Sequence, residues 1–98
     1  MEVEFEKSSF DQLETDPKFT GGFAAGIVSI YRKRMQQFRS AVDERDLYSM
    51  RSFRLEKLKG ARSHQHSIRL NDQWRLIIEL QGKAQEKTIL VVGIEDYH

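Results

Sequence analysis

The chain has 98 residues, 39% of them hydrophobic and 32% charged, with a formal net charge of +1, as expected for a single globular domain spanning residues 1–98. Six Phe, three Tyr and one Trp suffice to anchor a core, which excludes wholesale disorder, and the lack of cysteine excludes disulfide frameworks and thiolate zinc sites. The acidic start MEVEFEKSSF and the absence of a long apolar run predict neither a signal peptide nor a membrane span, so we expect a cytoplasmic protein.

The first predicted elements are a short strand and a short helix. Val3 and Phe5 alternate with glutamates, which is the period of a half-buried strand. Ser9 and Gln12 have the spacing of a capping box and predict the start of a helix. The helix should end at Asp16-Pro17, because the residue before a proline disfavours the helical conformation.

A longer helix is predicted after the flexible pair Gly21-Gly22. Apolar residues recur there at steps of three and four, and basic residues occupy the opposite face. The acidic segment 43–46 is expected to end this helix, followed by a connection to Met50. The apolar positions are Ile27, Ile30, Tyr31, Met35 or Arg34, Phe38 and Ala41-Val42.

The second half of the chain is predicted to be β-structure. Residues 52–58 are expected to form a strand, and residues 58–60 a turn. Three further strands are expected at 66–70, 74–80 and 88–95, with a loose hairpin loop at 81–87. Helices early and an antiparallel sheet late predict one α+β domain.

The strands 66–70 and 74–80 form a predicted hairpin whose register follows from its apolar residues. A three-residue loop sets Ile68 against Leu76 and merges the two apolar faces, with Trp74 as a core anchor. The same register places Arg69 opposite Arg75 on the other face. A two-residue turn would set Ile68 against Arg75 and scramble the core, so the first register is preferred.

Two arginines opposite each other destabilise a sheet unless another charge offsets theirs. One alternative is that each arginine finds its own carboxylate, for example Glu79 or Glu95. The other is that an anion, most naturally a phosphate, lies between them, because guanidinium groups suit bidentate phosphate contacts. The hairpin alone leaves both alternatives open.

The charged residues are unevenly distributed. The segment from Tyr31 to Arg75 holds 12 Lys and Arg against 5 Asp and Glu, a net charge of +7. The rest of the chain holds 4 basic and 10 acidic residues, a net charge of −6. A basic middle between acidic ends indicates a surface that faces a polyanion, although solvated helix and loop charges give the same pattern.

Three motifs in the second half of the chain resemble a known toxin family. They are Leu55-Glu-Lys-Leu-Lys-Gly60, Gln65-His-Ser-Ile-Arg-Leu-Asn-Asp-Gln-Trp-Arg75 and Ile94-Glu-Asp-Tyr-His98. The central run Ser-Ile-Arg-x-Asn-Asp-Gln-Trp-Arg is long and specific. In these motifs the chain resembles the HigB-like branch of the RelE/ParE toxin superfamily, the plasmid-maintenance killer proteins.

The resemblance implies a compact RelE-like α+β fold with two N-terminal helices packed on a curved antiparallel sheet. It also implies the toxin of a type II toxin–antitoxin system, a ribosome-dependent endoribonuclease that cleaves mRNA in the A site and inhibits translation. The implied partners are the ribosome with its mRNA and a HigA-like helix-turn-helix antitoxin, which would link the toxin indirectly to operator DNA. The resemblance implies no metal, no cofactor and no membrane.

The resemblance also assigns site residues. Arg69 and Arg75 are placed on the scissile phosphate, with Lys59 beside it as electrostatic stabiliser or base. His98 is the candidate general acid, and Tyr97 would stack on a base or orient the phosphate. The residues expected to bind ribosomal RNA are Arg32, Lys33, Arg54, Lys57 and Arg62.

Two other functions remain open from the sequence. A ParE-like toxin of the same fold would block DNA gyrase by binding it and would not depend on these basic residues and His98. A catalytically decayed member would persist as an antitoxin-binding module, because an intact motif does not establish the placement of its side chains.

Overall fold

The computed structural model describes residues 1–83 and 86–96, so residues 84 and 85 of the predicted loop 81–87 lie outside the described residues. The helices are α1 (Ser8–Thr15), α2 (Ala25–Ser40) and α3 (Glu44–Ser49), with 3₁₀ turns at Arg51–Phe53 and Gly60–Arg62. The strands are β1 (Val3–Phe5), β2 (Glu56–Lys57), β3 (Gln65–Arg69), β4 (Trp74–Gln81) and β5 (Thr88–Asp96). None of the described helices combines the length and apolar content that crossing a bilayer requires.

The five strands form one mixed sheet in the order β1-β5-β4-β3-β2. Neighbouring strands from β2 to β5 are antiparallel, but β1 runs parallel to β5, with Val3 opposite Ile89. The α+β class is confirmed, whereas the prediction of a purely antiparallel sheet is wrong at this edge. The helices between β1 and the later strands provide the long crossover that a parallel pair needs.

The short helix α1 ends as predicted but begins differently. Its N-cap is Lys7, which makes no side-chain capping hydrogen bond, so the predicted capping box at Ser9 does not form. Asp16 is the C-cap and precedes Pro17, as expected from the effect of proline on the preceding residue.

The acidic segment 43–46 begins a third helix instead of ending the long one. α2 already ends at Ser40, and Asp43 is the N-cap of α3. The Asp43 carboxylate accepts a hydrogen bond from the backbone N–H of Arg45 (2.9 Å). Aspartate is a favoured N-cap residue, and acidic side chains in a first turn suit the positive end of the helix.

The predicted strand 52–58 is shortened to β2. Its first part belongs to the 3₁₀ turn Arg51–Phe53, and Arg54 follows in the left-handed conformation, with φ of 45°. A residue in this conformation interrupts an extended chain. The turn buries Phe53 completely, so a core contact replaces strand pairing in this segment.

The core lies between the helices and one face of the sheet. Leu76 and Ile78 of β4 are fully buried on this face, as predicted. Trp74 lies on the same face but is only partly buried, because it is next to the hairpin turn. Its ring meets that of Phe23 edge-on, with 6.3 Å between centroids. Trp74 is therefore a half-buried contact at the end of the core rather than a fully buried anchor.

Helix α2 contributes the largest side chains to the core, among them Tyr31 and Phe38. Arg34 and Met35, which the sequence offered as alternatives, are both buried. Val42 lies beyond the end of α2 and is 80% exposed, contrary to its predicted place on the apolar face.

The buried Arg34 links α2 to the sheet. Its guanidinium lies over the ring of Phe53, 4.8 Å from the centroid. It donates hydrogen bonds to the backbone carbonyls of Arg69 (3.1 and 3.2 Å) and Ser52 (3.3 Å). Burial lowers the pKa of Arg34, and the nearby positive charge of Arg69 lowers it further. Because Arg69 is the last residue of β3, this contact holds the helix against the hairpin.

We expect Arg34→Met to lower the free energy of unfolding by about 1–3 kcal/mol, because the variant keeps the apolar stem but removes the donor to the partly buried carbonyl groups of Arg69 and Ser52. Urea denaturation followed by tryptophan fluorescence would measure the change. Lys33→Met is the matched control, since Lys33 is exposed on the same helix and its replacement should change stability by no more than about 0.5 kcal/mol. Equal stability of the two variants would contradict this role of Arg34.

Candidate functional site

The β3–β4 hairpin has the predicted register. Ile68 pairs with Leu76, and Arg69 pairs with Arg75. The Asn71 side chain stabilises the turn, because its Oδ1 accepts hydrogen bonds from the backbone N–H groups of Gln73 (2.8 Å) and Trp74 (2.7 Å). The apolar residues of both strands therefore enter the core, and the two arginines lie on the outer face of the sheet.

The two arginines have different surroundings. Arg69 is partly buried and forms an ion pair with Asp72 of the turn, rather than with either glutamate considered from the sequence. Arg75 is only 8% exposed, and its Nη1 donates a hydrogen bond to the Arg54 carbonyl (3.3 Å). Across the sheet, Arg75 pairs with Glu95 of β5. The Asp72 carboxylate therefore offsets the charge of Arg69.

A cleft of about 220 Å³ opens on this outer face. Its wall combines two guanidinium groups, a hydroxyl and two carboxylates with apolar side chains, a mixture that suits a small polar group of a ligand. The lining residues are Leu58, Arg62, Ser67, Arg75, Ile77, Glu95 and Asp96. The cleft is therefore built from β3, β4, β5 and the segment before β3.

A bidentate ion pair joins two residues that line this cleft. Arg62 donates from Nη1 and Nη2 to the two carboxylate oxygens of Glu95, at 3.0 and 2.6 Å. The Nε of Arg62 also donates to the side-chain oxygen of Gln65 (3.0 Å). The hydrogen bond with Glu95 raises the pKa of Arg62. Arg62 was predicted to bind RNA, and in the structure it lines the same cleft as Arg75.

Ser67 is a site residue that the sequence analysis did not identify. It is 2% exposed, and its hydroxyl has no hydrogen-bond partner within residues 1–83 and 86–96. A buried hydroxyl without a partner costs about 1–3 kcal/mol. Because Ser67 lines the cleft, a ligand there is a suitable partner. The signal in the sequence was strand alternation, which puts Ser67 on the same face as Arg69.

The structure does not gather all of the predicted catalytic residues in the cleft. Lys59 is exposed just before the 3₁₀ turn Gly60–Arg62 and does not line the cleft. Tyr97 and His98 lie outside the described residues. Arg69 is adjacent to Arg75 across the hairpin but also does not form part of the lining.

The predicted ribosome-binding residues differ in their surroundings. Lys33, Arg54 and Lys57 are exposed. The guanidinium of Arg32 instead donates to carbonyls in the last turn of α1 and just beyond it, which secures the end of that helix against α2. Its acceptors are the backbone oxygens of Leu13 (3.0 Å), Asp16 (2.9 Å) and Phe19 (3.2 Å).

The arrangement is suited to binding an anion with several oxygen atoms. Arg75 and Arg62 offer guanidinium donors, and Ser67 offers a neutral donor from the buried floor of the cleft. In the described part of the chain, no group of three or more His, Cys, Asp and Glu side chains is placed to hold a metal ion.

Comparisons with known proteins identify the fold and the family. A family model described as a RelE-like toxin of the type II toxin–antitoxin system HigB matches residues 4–98. The chain is similar to the structure of a YoeB/ParE toxin from Agrobacterium tumefaciens, with 18% identity, a TM-score of 0.67 and 100% of each chain covered. It is also similar to the YoeB-YefM complex from Staphylococcus aureus, with 16% identity, a TM-score of 0.62, and 100% of this chain and 97% of that chain covered. The comparison with curated protein sequences finds no match.

His66 is a second titratable group in β3, on the face opposite the cleft. Its Nε2 lies 3.2 Å from the Tyr48 hydroxyl, and its buried Nδ1 has no hydrogen-bond partner in the described ranges. Burial lowers the pKa of His66 from its ordinary value of 6.5, with a further lowering by Lys57 that Glu44 partly opposes. The folded protein therefore favours the neutral imidazole.

Stability should decrease as the pH falls below 6.5, because the unfolded chain then binds a proton at His66 that the folded protein resists. The decrease should level off below the lowered pKa of the folded state. Urea unfolding at a series of pH values would measure it, and His66→Asn should show a shallower pH dependence than the wild-type protein. Gln36→Asn, at an exposed position of α2 that does not titrate, is the control and should keep the wild-type slope. The wild-type slope in His66→Asn would contradict the assignment.

Proposed function

Because the chain belongs to the HigB-like family of RelE-like type II toxins, we propose that it cleaves mRNA in the ribosomal A site and thereby inhibits translation. The family match confirms the resemblance predicted from the motifs. The observation that carries the cleavage proposal is the cleft on the outer face, which Arg75 lines together with Ser67, whose buried hydroxyl has no partner in residues 1–83 and 86–96. A phosphate group would accept a hydrogen bond from Ser67, and its negative charge suits the neighbouring Arg75 guanidinium.

Cleavage by the 2′-OH of RNA has three chemical requirements. The 2′-OH must lose a proton, the negative charge of the phosphorane must be stabilised, and the leaving 5′-oxygen must gain a proton. We assign charge stabilisation to Arg75, with Arg69 on the neighbouring strand adding positive potential. Lys59 would approach the phosphate from the solvent side as stabiliser or base. The roles of His98 as general acid and Tyr97 as stacking or orienting group rest on the family motif.

The distribution of charge supports a ribosome-bound substrate. The net charge of +7 between Tyr31 and Arg75 lies in the same segment as the cleft-forming hairpin. Lys33, Arg54 and Lys57 are exposed and available to ribosomal RNA, and such contacts weaken as salt is raised. Arg32 already bonds to three carbonyls, so its proposed contribution is long-range attraction. A toxin that acts on ribosomes would work in the cytoplasm as a single domain over residues 1–98.

We also propose that a HigA-like helix-turn-helix antitoxin neutralises the protein and connects it to operator DNA. The type II toxin family and the similarity to a YoeB-YefM complex support a protein partner.

Arg75→Ala should reduce ribosome-dependent cleavage by about 10²–10³-fold, because removal of one preorganised donor to the transition state has an effect of this size. The measurement is cell-free translation of a defined mRNA with mapping of the new 5′ ends, with and without ribosomes. Arg45→Ala removes the same charge from the exposed part of α3 and should cleave at the wild-type rate. Arg75→Lys should recover part of the rate, because it restores the charge but not the planar fork.

Cuts inside codons that require both ribosomes and Arg75 would support the endoribonuclease. Intact mRNA at high concentrations of wild-type protein would contradict it, and inhibition of DNA gyrase would be measured next. Circular dichroism and antitoxin binding should be unchanged in Arg75→Ala, which separates loss of chemistry from loss of the fold.

Ser67→Ala should reduce cleavage by about tenfold to about a hundredfold while leaving thermal stability unchanged or slightly higher. Cleavage should be slower because the variant lacks a hydrogen bond to a charged phosphate. Thermal stability should not decrease because the hydroxyl that is removed is buried without a partner in the described residues. Ser63→Ala, at an exposed position near the cleft, is the control. A destabilised Ser67→Ala variant that cleaves normally would show that the hydroxyl serves the fold instead.

A further inference from the structure

Glu95 places a negative charge in a cleft that otherwise suits an anion. Along β5, Glu95 lies opposite Arg75, whereas Asp96 lies opposite Trp74. Alternation therefore puts the Glu95 side chain on the same face as Arg75, and Asp96, the next residue, lines the end of the same cleft. The Asp96 carboxylate accepts a hydrogen bond from the side chain of Gln73 in the hairpin turn (3.2 Å). Glu95 thus lies opposite Arg75 on the outer face, lines the cleft and forms the ion pair with Arg62.

In the ion pair between Arg62 and Glu95, Arg62 can readily exchange the carboxylate for another anion. The side chains of Arg62 and Glu95 are 45% and 46% exposed, and exposed ion pairs add little stability. A phosphate offers Arg62 the same two-oxygen geometry as the carboxylate does. An entering phosphate would also repel the Glu95 carboxylate. Binding of RNA would therefore transfer Arg62 to the phosphate and release Glu95 beside it.

A carboxylate released next to the scissile phosphate is in position to accept a proton. Lys59 is exposed and does not line the cleft, and the assigned chemistry still requires a group that removes the proton of the 2′-OH. We propose that Glu95 is the general base of the cleavage reaction and that Arg62 is the cation that changes partner to free it. This inference rests on the proposed endoribonuclease function.

The step is balanced in atoms and charge. The Glu95 carboxylate takes the proton of the 2′-OH as the 2′-oxygen bonds to phosphorus. The bond between phosphorus and the 5′-oxygen breaks, and that oxygen takes a proton from the general acid. The products are a 2′,3′-cyclic phosphate and a 5′-OH. Protonated Glu95 then loses its proton to solvent and pairs again with Arg62.

The test is single-turnover cleavage of ribosome-bound mRNA over a range of protein concentrations. Glu95→Gln should lower the maximal rate by about 10²–10⁴-fold, the usual contribution of a general base. The half-saturating concentration should stay the same or fall, because a charge that repels RNA is gone. The remaining rate should rise with pH as hydroxide replaces the base, while Arg62 and Arg75, which face Glu95, keep their charge.

Three variants separate the loss of a general base from a change of net charge and from the loss of a phosphate contact. Glu4→Gln makes the same change of net charge at an exposed position of β1 and should cleave like the wild-type protein. Glu95→Asp keeps a carboxylate and should retain more activity than Glu95→Gln. Arg62→Ala should raise the half-saturating concentration in the wild-type background, because it removes a phosphate contact.

Each outcome of this experiment decides the inference. A wild-type or faster maximal rate in Glu95→Gln would overturn it and would show that the carboxylate only competes with RNA for Arg62. Loss of the maximal rate in Asp96→Asn, with Glu95→Gln active, would also overturn it and move the base to Asp96. If the wild-type protein cuts no mRNA on ribosomes, the proposed function itself fails and the inference fails with it.

Discussion

The alternation of side chains along β4 is the constraint on which the cleft depends. Leu76 and Ile78 enter the core, so the residues on either side of Leu76 must face outward. Arg75 and Ile77 are thereby buried on the outer face, where β3 and β5 flank them. A shift of one residue would turn an arginine into the core and an isoleucine out of it. Core packing and the proposed phosphate site are therefore specified by the same strand.

Elements that depend on local patterns were predictable from the sequence. The apolar spacing of α2 fitted a helix, and only one register of the hairpin put the apolar residues of both strands on the same face. Features that depend on distant contacts were not. The parallel pairing of β1 needs β5, and the left-handed Arg54 has no glycine to mark it. The helix α3 was missed because its acidic cap was interpreted as the end of α2.

The site was predictable in its cations but not in its other groups. Arg75 and Arg62 were both named, because basic residues in a specific motif are visible in the sequence. Ser67 gave only a weak signal, since a hydroxyl becomes notable when its burial and lack of a partner are known. Glu95 was considered as a partner of an arginine, and its pairing with Arg62 depends on a sheet order that brings the two segments together. Lys59, Tyr97 and His98 stay predictions.

The position of β5 has a consequence for the order of events during synthesis. This strand comes late in the chain but lies inside the sheet, with β1 on one side and β4 on the other. A nascent chain that lacks β5 has no partner for its first strand and no Glu95 in its cleft. Strands β2, β3 and β4 pair without β5, but the five-stranded sheet and the proposed active site cannot be completed until β5 has left the ribosomal exit tunnel. Products that stop before β5 therefore lack both the complete sheet and the proposed base.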